Sequence, residues 1–280
     1  MRLVKFQRGP ENAQGVLYDD EIHVVGDWRA GPAELAPFTL GGQSPEQITA
    51  LLGKKPERVP LAEVRLAVPF DPLRKIICVG VNYRDHAGEI AADAPAHPIL
   101  FTRSLDSLVA HGEAVIKPRV SETFDFEGEI GIVIGRQGRH IAPAAALGHV
   151  GGYTCFLDGS VREYQRHALM TGKNFWRSGS MGPWIVTTDT LGDPDLRLQT
   201  RLNGEPVQAA RASQMIFDIS AIIAYCSRWT VLKPGDVIAT GTPGGVGSRR
   251  TPPLWMKPGD VIEVQIEQVG NLRNPVESEA

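Results

Sequence analysis

Cysteine is scarce in this chain: three in 280 residues, Cys78, Cys155 and Cys226, each in an apolar context. An odd and scattered set argues against a disulfide framework and fits a reducing cytoplasm. No Cys or His pair has zinc-ligand spacing, so all three read as small buried hydrophobes. Long apolar runs are absent as well. No stretch of 18 apolar residues occurs, so no membrane-spanning helix is expected. The opening MRLVKFQRGPENAQGVLYDD lacks the apolar core and small-residue cleavage site of a secretory leader. Excess charge of one sign is also missing: a formal net charge of -3 gives nucleic acid or an anionic membrane nothing to hold. The glycine-rich ATGTPGGVGS lacks a GK[ST] ending and a following helix pattern, and no strand–GxGxxG–helix unit exists, which removes the P-loop and dinucleotide readings.

What is present is a chain that turns often, with 30 glycines and 21 prolines. Short β-type runs dominate, among them RLVKF, KIICVGV, EIGIVIG, PWIVTT and DVIEVQIEQVG. Two segments read as helix. In MIFDISAIIAYCSRWT, Ile216, Ile219, Ile222, Ile223 and Cys226 recur at steps of three and four. GSVREYQRHAL follows Asp158, with Ser160 as the candidate cap. This pattern predicts an α+β, mainly β fold rather than a doubly wound sheet. A polar, proline-rich N-terminal stretch sets residues 1–66 apart as a small N-terminal domain, leaving 67–280 as the main domain. LKPGDVIAT and MKPGDVIEV duplicate a turn, not an architecture.

Chemistry concentrates in TFDFEGEIGIVIG. Asp125, Glu127 and Glu129 alternate, so a strand would set them on one face about 6–7 Å apart. A solvated edge, an acid/base pair and a cation site all fit that spacing. The apolar run that follows suggests a central strand, where two dry carboxylates repel and one must take a proton unless a cation intervenes. Hard oxygen ligands favour Mg²⁺, with Mn²⁺ or Ca²⁺ as alternatives. Asp158 ends an apolar strand and offers a third ligand, or else a helix cap. Arg162 and Gln165 would share a helix face beside it. His86 and Glu89, at i and i+3, could form an oriented general base, or an exposed loop histidine. Lys173 and Thr242 complete the candidate set.

Taken in order, VGVNYRDHAGE, FDFEGEIGIVIG, GYTCFLDGSVREYQ, GKNF, GPWIVT, MIFDISAIIAY and KPGDVIATGTPGGVG resemble the fumarylacetoacetate hydrolase family over roughly residues 72–273. The resemblance implies a mixed β-sandwich roll with a small N-terminal domain, usually a homodimer. It implies metal ligands at Glu127, Glu129 and Asp158, and a catalytic His86–Glu89 pair on a lid. It also implies an active-site Lys173, with substrate contacts at Arg162, Gln165 and Thr242. Leu157 and Glu163 depart from the commoner pattern, as do Arg103 and Trp176, the latter two placed to reshape the pocket. The function expected on this basis is metal-dependent hydrolysis of a C–C bond in a 1,3-dicarbonyl acid, such as an acylpyruvate, in catabolism of aromatic compounds or sugar acids. The same constellation could serve a 2-oxo-diacid decarboxylase or an enol isomerase. A metal-stabilised binding protein without catalysis is the reading from another class.

Overall fold

The structure, a computed structural model, describes residues 1–89, 95–191 and 195–280. Its sheets are mixed. A 12-stranded sheet runs from the N-terminal strands through Arg2–Arg8, Gly179–Thr187, Val150–Leu157, Gly128–Ile134, Val237–Ala239 and Ile76–Gly80 to an edge at Ile99–Thr102. Most neighbours are antiparallel, but Val237–Ala239 runs parallel to Ile76–Gly80. A five-stranded sheet holds Arg197–Leu202, Glu205–Arg211, Val261–Ile266, Gly270–Ser278 and Val115–Lys117. The expected α+β, mainly β class is what the chain adopts.

The Gly128–Ile134 strand shows why EIGIVIG is apolar on both sides. All seven of its residues are buried, between Val150–Leu157 and Val237–Ala239. Ile130, Ile132 and Ile134 enter the core shared with the five-stranded sheet, including Leu198, Ile262 and Leu272. Val133, on the opposite face with Glu129, packs in a second core with Phe38, Phe156 and Ile185. Each isoleucine so buried contributes about 1.5–3 kcal/mol, and alternation fixes which face carries Glu129.

Helix Ile219–Trp229 closes one end of this core, burying Ile222, Ile223 and Cys226. It begins three residues later than the first isoleucine of the periodic run, because the Asp218 side chain accepts from Ala221 N at 2.8 Å and caps it there. The expected helix after Asp158 is shorter than its pattern. Ser160–Val161 is a strand, helix Arg162–Gln165 follows, and Ser160 is not its cap, since its hydroxyl donates to the Asp158 carbonyl. In the N-terminal region the polar stretch holds an unforeseen helix, Pro45–Leu52. Its signal lies in SPEQ: Ser44 and Gln47 form a capping box and Pro45 takes the first turn. Strand Arg2–Arg8 joins the large sheet through Arg2↔Val186 and Leu3↔Ile185. Buried Lys5 ties it inward by donating to the carbonyls of Ala36 at 2.6 Å and Phe70 at 3.0 Å. Among the described residues, no helix is long and apolar enough to cross a membrane.

Candidate active site

The two ends of the Gly128–Ile134 and Val150–Leu157 strands bring the alternating carboxylates to Asp158. Gly128 pairs with Leu157, and Asp158 N donates to the Glu127 carbonyl at 2.8 Å. One oxygen from each of Glu127, Glu129 and Asp158 lies within 4.8 Å of the others, and all three residues are buried. Only glycine fits between the two glutamates: a Cβ at Gly128 would lie 2.0 Å from Thr200 Oγ1. Gly128 N instead donates to Gln208 Oε1 at 2.9 Å, anchoring the segment between the two glutamates to the second sheet.

Three cations surround these acids. Lys173 Nζ bridges Glu127 Oε2 at 2.5 Å and Asp158 Oδ2 at 2.6 Å. Arg162 holds Glu127 Oε1 through Nη2 at 2.7 Å and Asp125 Oδ2 through Nε at 2.7 Å. Arg103 Nη1 holds Asp158 Oδ1 at 2.5 Å. Four carboxylates (Asp125, Glu127, Glu129 and Asp158) thus face three cations, one negative charge in excess. Among the described residues, Glu129 is the member of the four that makes no ion pair. It accepts a single backbone N–H, from Gly241 at 2.9 Å.

The protonation energetics follow from that inequality. Burial works against the Glu127 anion, but Lys173, Arg162 and His86 overcome it and pull the carboxyl down to about 2. Burial, then Asp158 and Glu127, push Glu129 well above the ordinary carboxylate range, and Lys173 and the Gly241 N–H only partly offset them. Burial also opposes the charge on Lys173, yet Asp158 and Glu127 hold its ammonium above the usual value. A divalent cation fits this donor set. It would take hard carboxylate oxygens, which retain free lone pairs, and would cancel the charge that Glu129 otherwise buries unpaired.

Asp125 has a different task. Its Oδ1 accepts from Phe126 N and Gly247 N, and its Oδ2 from Ser248 N and Arg162 Nε, so every contact it makes is committed to holding backbone and Arg162. The glycine-rich loop is explained in the same way. Gly241, at φ 95°, aims its N–H at Glu129, and Gly245, at φ 97°, donates to Glu89 Oε1 at 2.6 Å. Left-handed backbone at both positions suits glycine, and a Cβ would clash with Asn82 and with the Val207 carbonyl respectively. The loop delivers amides to two carboxylates rather than to a phosphate.

His86 and Glu89 lie on helix Arg84–Glu89, with His86 Nδ1 3.4 Å from Glu89 Oε2. His86, Glu127, Arg162, Gln165, Lys173 and Thr242 all line one cavity of about 440 Å³, while Glu129 and Asp158 lie buried beside it. Gln165 Oε1 accepts from Arg162 Nη1 at 3.0 Å. The Thr242 hydroxyl donates to the Gly128 carbonyl at 3.0 Å and accepts from Gln208 Nε2 at 2.8 Å, so it clips the loop to Gly128 between the two glutamates.

Two placements differ from expectation. Arg103 does not shape the cavity: its side chain is fully buried, satisfied by Asp158, Gly159, Ser107 and Ser178, and it fixes Asp158 from behind. Trp176 is 56% exposed and lines a different groove with Leu35, Leu66 and Arg177. Four further residues of the site carry no motif: Gln208, which anchors Gly128, and Arg166, Arg249 and Trp255, which line the cavity. Gln208 gives no signal in the sequence, since a polar residue on a strand is ordinarily solvated.

Comparison with known proteins places this geometry. Residues 75–277 match the family described as fumarylacetoacetate (FAA) hydrolase C-terminal. The chain is 42% identical over 223 residues to the oxaloacetate tautomerase YisK of Bacillus subtilis (strain 168), covering 77% of this chain and 74% of that protein. It is 35% identical over 288 residues to the mitochondrial oxaloacetate tautomerase fahd2 of Xenopus laevis, covering 99% and 90%. Among solved structures, a fumarylacetoacetate hydrolase from psychrophilic Exiguobacterium antarcticum superposes with a TM-score of 0.81 at 32% identity, covering 100% of both chains.

Proposed function

This chain belongs to the fumarylacetoacetate hydrolase family, and on that premise we propose that it is a divalent-cation-dependent enzyme acting on a small 2-oxo diacid through its enolate, with keto–enol tautomerisation of oxaloacetate as its reaction. The observation that carries this reading is a cavity lined by His86, which Glu89 backs, by Lys173, which bridges Glu127 and Asp158, and by Glu127, with the rest of the carboxylate cluster buried beside it. The two relatives named as oxaloacetate tautomerases support the substrate.

Glu127, Glu129 and Asp158 would hold the cation, Mg²⁺ by the hardness of the ligands or else Mn²⁺ or Ca²⁺, which supplies a Lewis acid for the 2-oxo carbonyl. Glu89 would accept a hydrogen bond from His86 Nδ1–H and so leave Nε2 as the base that takes a proton from the substrate methylene and delivers it to the enolate oxygen, the reverse transfers carrying enol back to keto. Lys173 spends two of its N–H donors on Glu127 and Asp158 and has a third for the developing enolate oxygen. Arg162, braced by Asp125 and Glu127, holds the substrate carboxylate, and Gln165 orients it by accepting from Nη1.

Hydrolysis of a C–C bond in an acylpyruvate is the second reading. It is favoured by the hydrolase among the solved relatives, and the same His86 Nε2 would then activate water. Decarboxylation is a third reading: the keto acid would lose CO₂ and leave the enolate of pyruvate, which the same groups would hold. The test follows oxaloacetate enol absorbance, pyruvate release and acylpyruvate cleavage on one preparation supplied with Mg²⁺. Accelerated enol decay with pyruvate release at the spontaneous rate is expected. Acylpyruvate cleavage without faster enol decay would overturn the first reading and establish the second.

A further inference from the structure

Two guanidinium groups in the cavity have no part in the chemistry above. Arg166 follows helix Arg162–Gln165, and Arg249 ends the turn Gly247–Arg249; both residues line the same cavity as His86 and Lys173. Both residues are exposed, whereas Lys173 is 2% exposed and Glu127 6%, so they stand at the outer end of the cavity. Among the described residues neither guanidinium makes an ion pair. The cavity's remaining acid at that level is Glu163; the cationic lining residues outnumber the anionic ones, Arg162, Arg166, Lys173 and Arg249 against Glu127 and Glu163.

The pair is built into the scaffold rather than carried on unanchored loops. Asp125 is wholly buried and accepts from Gly247 N at 2.7 Å and Ser248 N at 3.0 Å, which fixes the turn ending at Arg249. The same carboxylate accepts from Arg162 Nε at 2.7 Å, and Arg166 N donates to the Glu163 carbonyl, which fixes the base of Arg166. One buried acid therefore sets the spacing of the two elements that present the outer cations. Trp255 supplies an apolar wall on the cavity between polar groups. At about 440 Å³ the cavity has room for more than ten waters at about 30 Å³ each, so a ligand seated at the acidic cluster leaves space to be filled outward.

We infer that Arg166 and Arg249 form a second-carboxylate subsite that selects dianionic over monoanionic 2-oxo acids. This rests on the functional reading above and names its specificity. Guanidinium forks recognise carboxylates in a bidentate geometry and lose little entropy in doing so. Charge-assisted contacts of this kind, partly solvated here, correspond to about tenfold in affinity for the pair.

Binding separates this claim from turnover. Calorimetric titration of the Mg²⁺-loaded protein with N-oxalylglycine and with oxamate compares two non-enolisable ligands with the same oxalyl end, of which only the first carries a remote carboxylate. Wild type is expected to bind N-oxalylglycine about tenfold or more tighter than oxamate. The double variant Arg166→Gln with Arg249→Gln brings that ratio close to one and leaves oxamate affinity in place, and each single variant falls between. A preference that survives in the folded double variant, or a parallel loss of both ligands, overturns the subsite. A wild type that shows the preference but no action on oxaloacetate would refute the tautomerase reading and leave the subsite standing.

Discussion

Replacing Glu129 by Gln should separate a cation site from a self-contained ion-pair network. Glu129 is the acid with no cationic partner, so Gln keeps an acceptor for Gly241 N–H and removes the carboxylate that a bound cation would need. If wild type binds Mg²⁺ and is measured at 100 times its dissociation constant, the ion stabilises the fold by about 2.7 kcal/mol. Loss of one of three carboxylate ligands weakens binding by roughly 100-fold, an extrapolation from the 10–100-fold cost of losing a supporting partner. The same Mg²⁺ concentration then yields only about 0.4 kcal/mol. At about 2 °C per kcal/mol for a chain of this size, the Mg²⁺-induced rise in Tm shrinks from about 5 °C to about 1 °C. Without cation the order changes. Glu129→Gln should be as stable as wild type or more so, because its neutral amide matches the protonated acid that burial favours. Glu127→Gln should lose about 1.5–3 kcal/mol, because it takes one of two anionic partners from each of Lys173 and Arg162, which keep Asp158 and Asp125. Thermal unfolding with Mg²⁺ and with EDTA reads all of this. An undiminished Mg²⁺ shift in Glu129→Gln would refute the reasoning.

The remaining predictions concern pH, backbone and catalysis. In EDTA, the raised Glu129 carboxyl contributes stability that is complete below its unfolded value near 4.5 and is lost as pH rises through the folded value; a pH series of Tm should fall more steeply for wild type than for Glu129→Gln. Asp125→Asn leaves Arg162 only Glu127 as an anionic partner and weakens the turn at Gly247 and Ser248, at a cost of about 1.5–3 kcal/mol by denaturant titration; an unchanged midpoint would dismiss its bracing role. Gly128→Ala drives a Cβ against Thr200 Oγ1 and should cost about 1–3 kcal/mol, with partial recovery on adding Thr200→Ala; no recovery would place the strain elsewhere. His86→Ala should slow proton transfer by about 10²–10⁴ while Mg²⁺ affinity is retained, and a matching loss of Mg²⁺ affinity would make His86 part of the ligand cluster instead.

Much of this site is legible in the amino-acid order alone. Glu127, just before the strand, and Glu129, on it, reach one cluster as their spacing suggests, and helical spacing brings His86 to Glu89. The apolar run after the acids correctly marks a central strand. The rest depends on distant chain meeting chain. Asp125 shares the alternation with its neighbours, but its partners at Gly247 and Ser248 lie more than 120 residues away, so spacing alone cannot assign its role. Arg103 looks like a pocket residue in the sequence because its backing of Asp158 depends on the fold around Ser107 and Ser178. The glycine-rich loop can be denied a phosphate from its pattern, yet its service to Glu129 and Glu89 emerges only once the strands are placed. Helix Pro45–Leu52 carries its signal in a capping box, which the polar composition around it obscures.

The most direct test of the central claim is exchange of the oxaloacetate methylene protons in D₂O, followed by NMR with the protein, Mg²⁺ and a protein-free control. Wild type is predicted to exchange them well above the spontaneous rate, with exchange abolished by EDTA and strongly reduced in Glu129→Gln and His86→Ala. Exchange no faster than the control, or exchange indifferent to chelation, would contradict the claim.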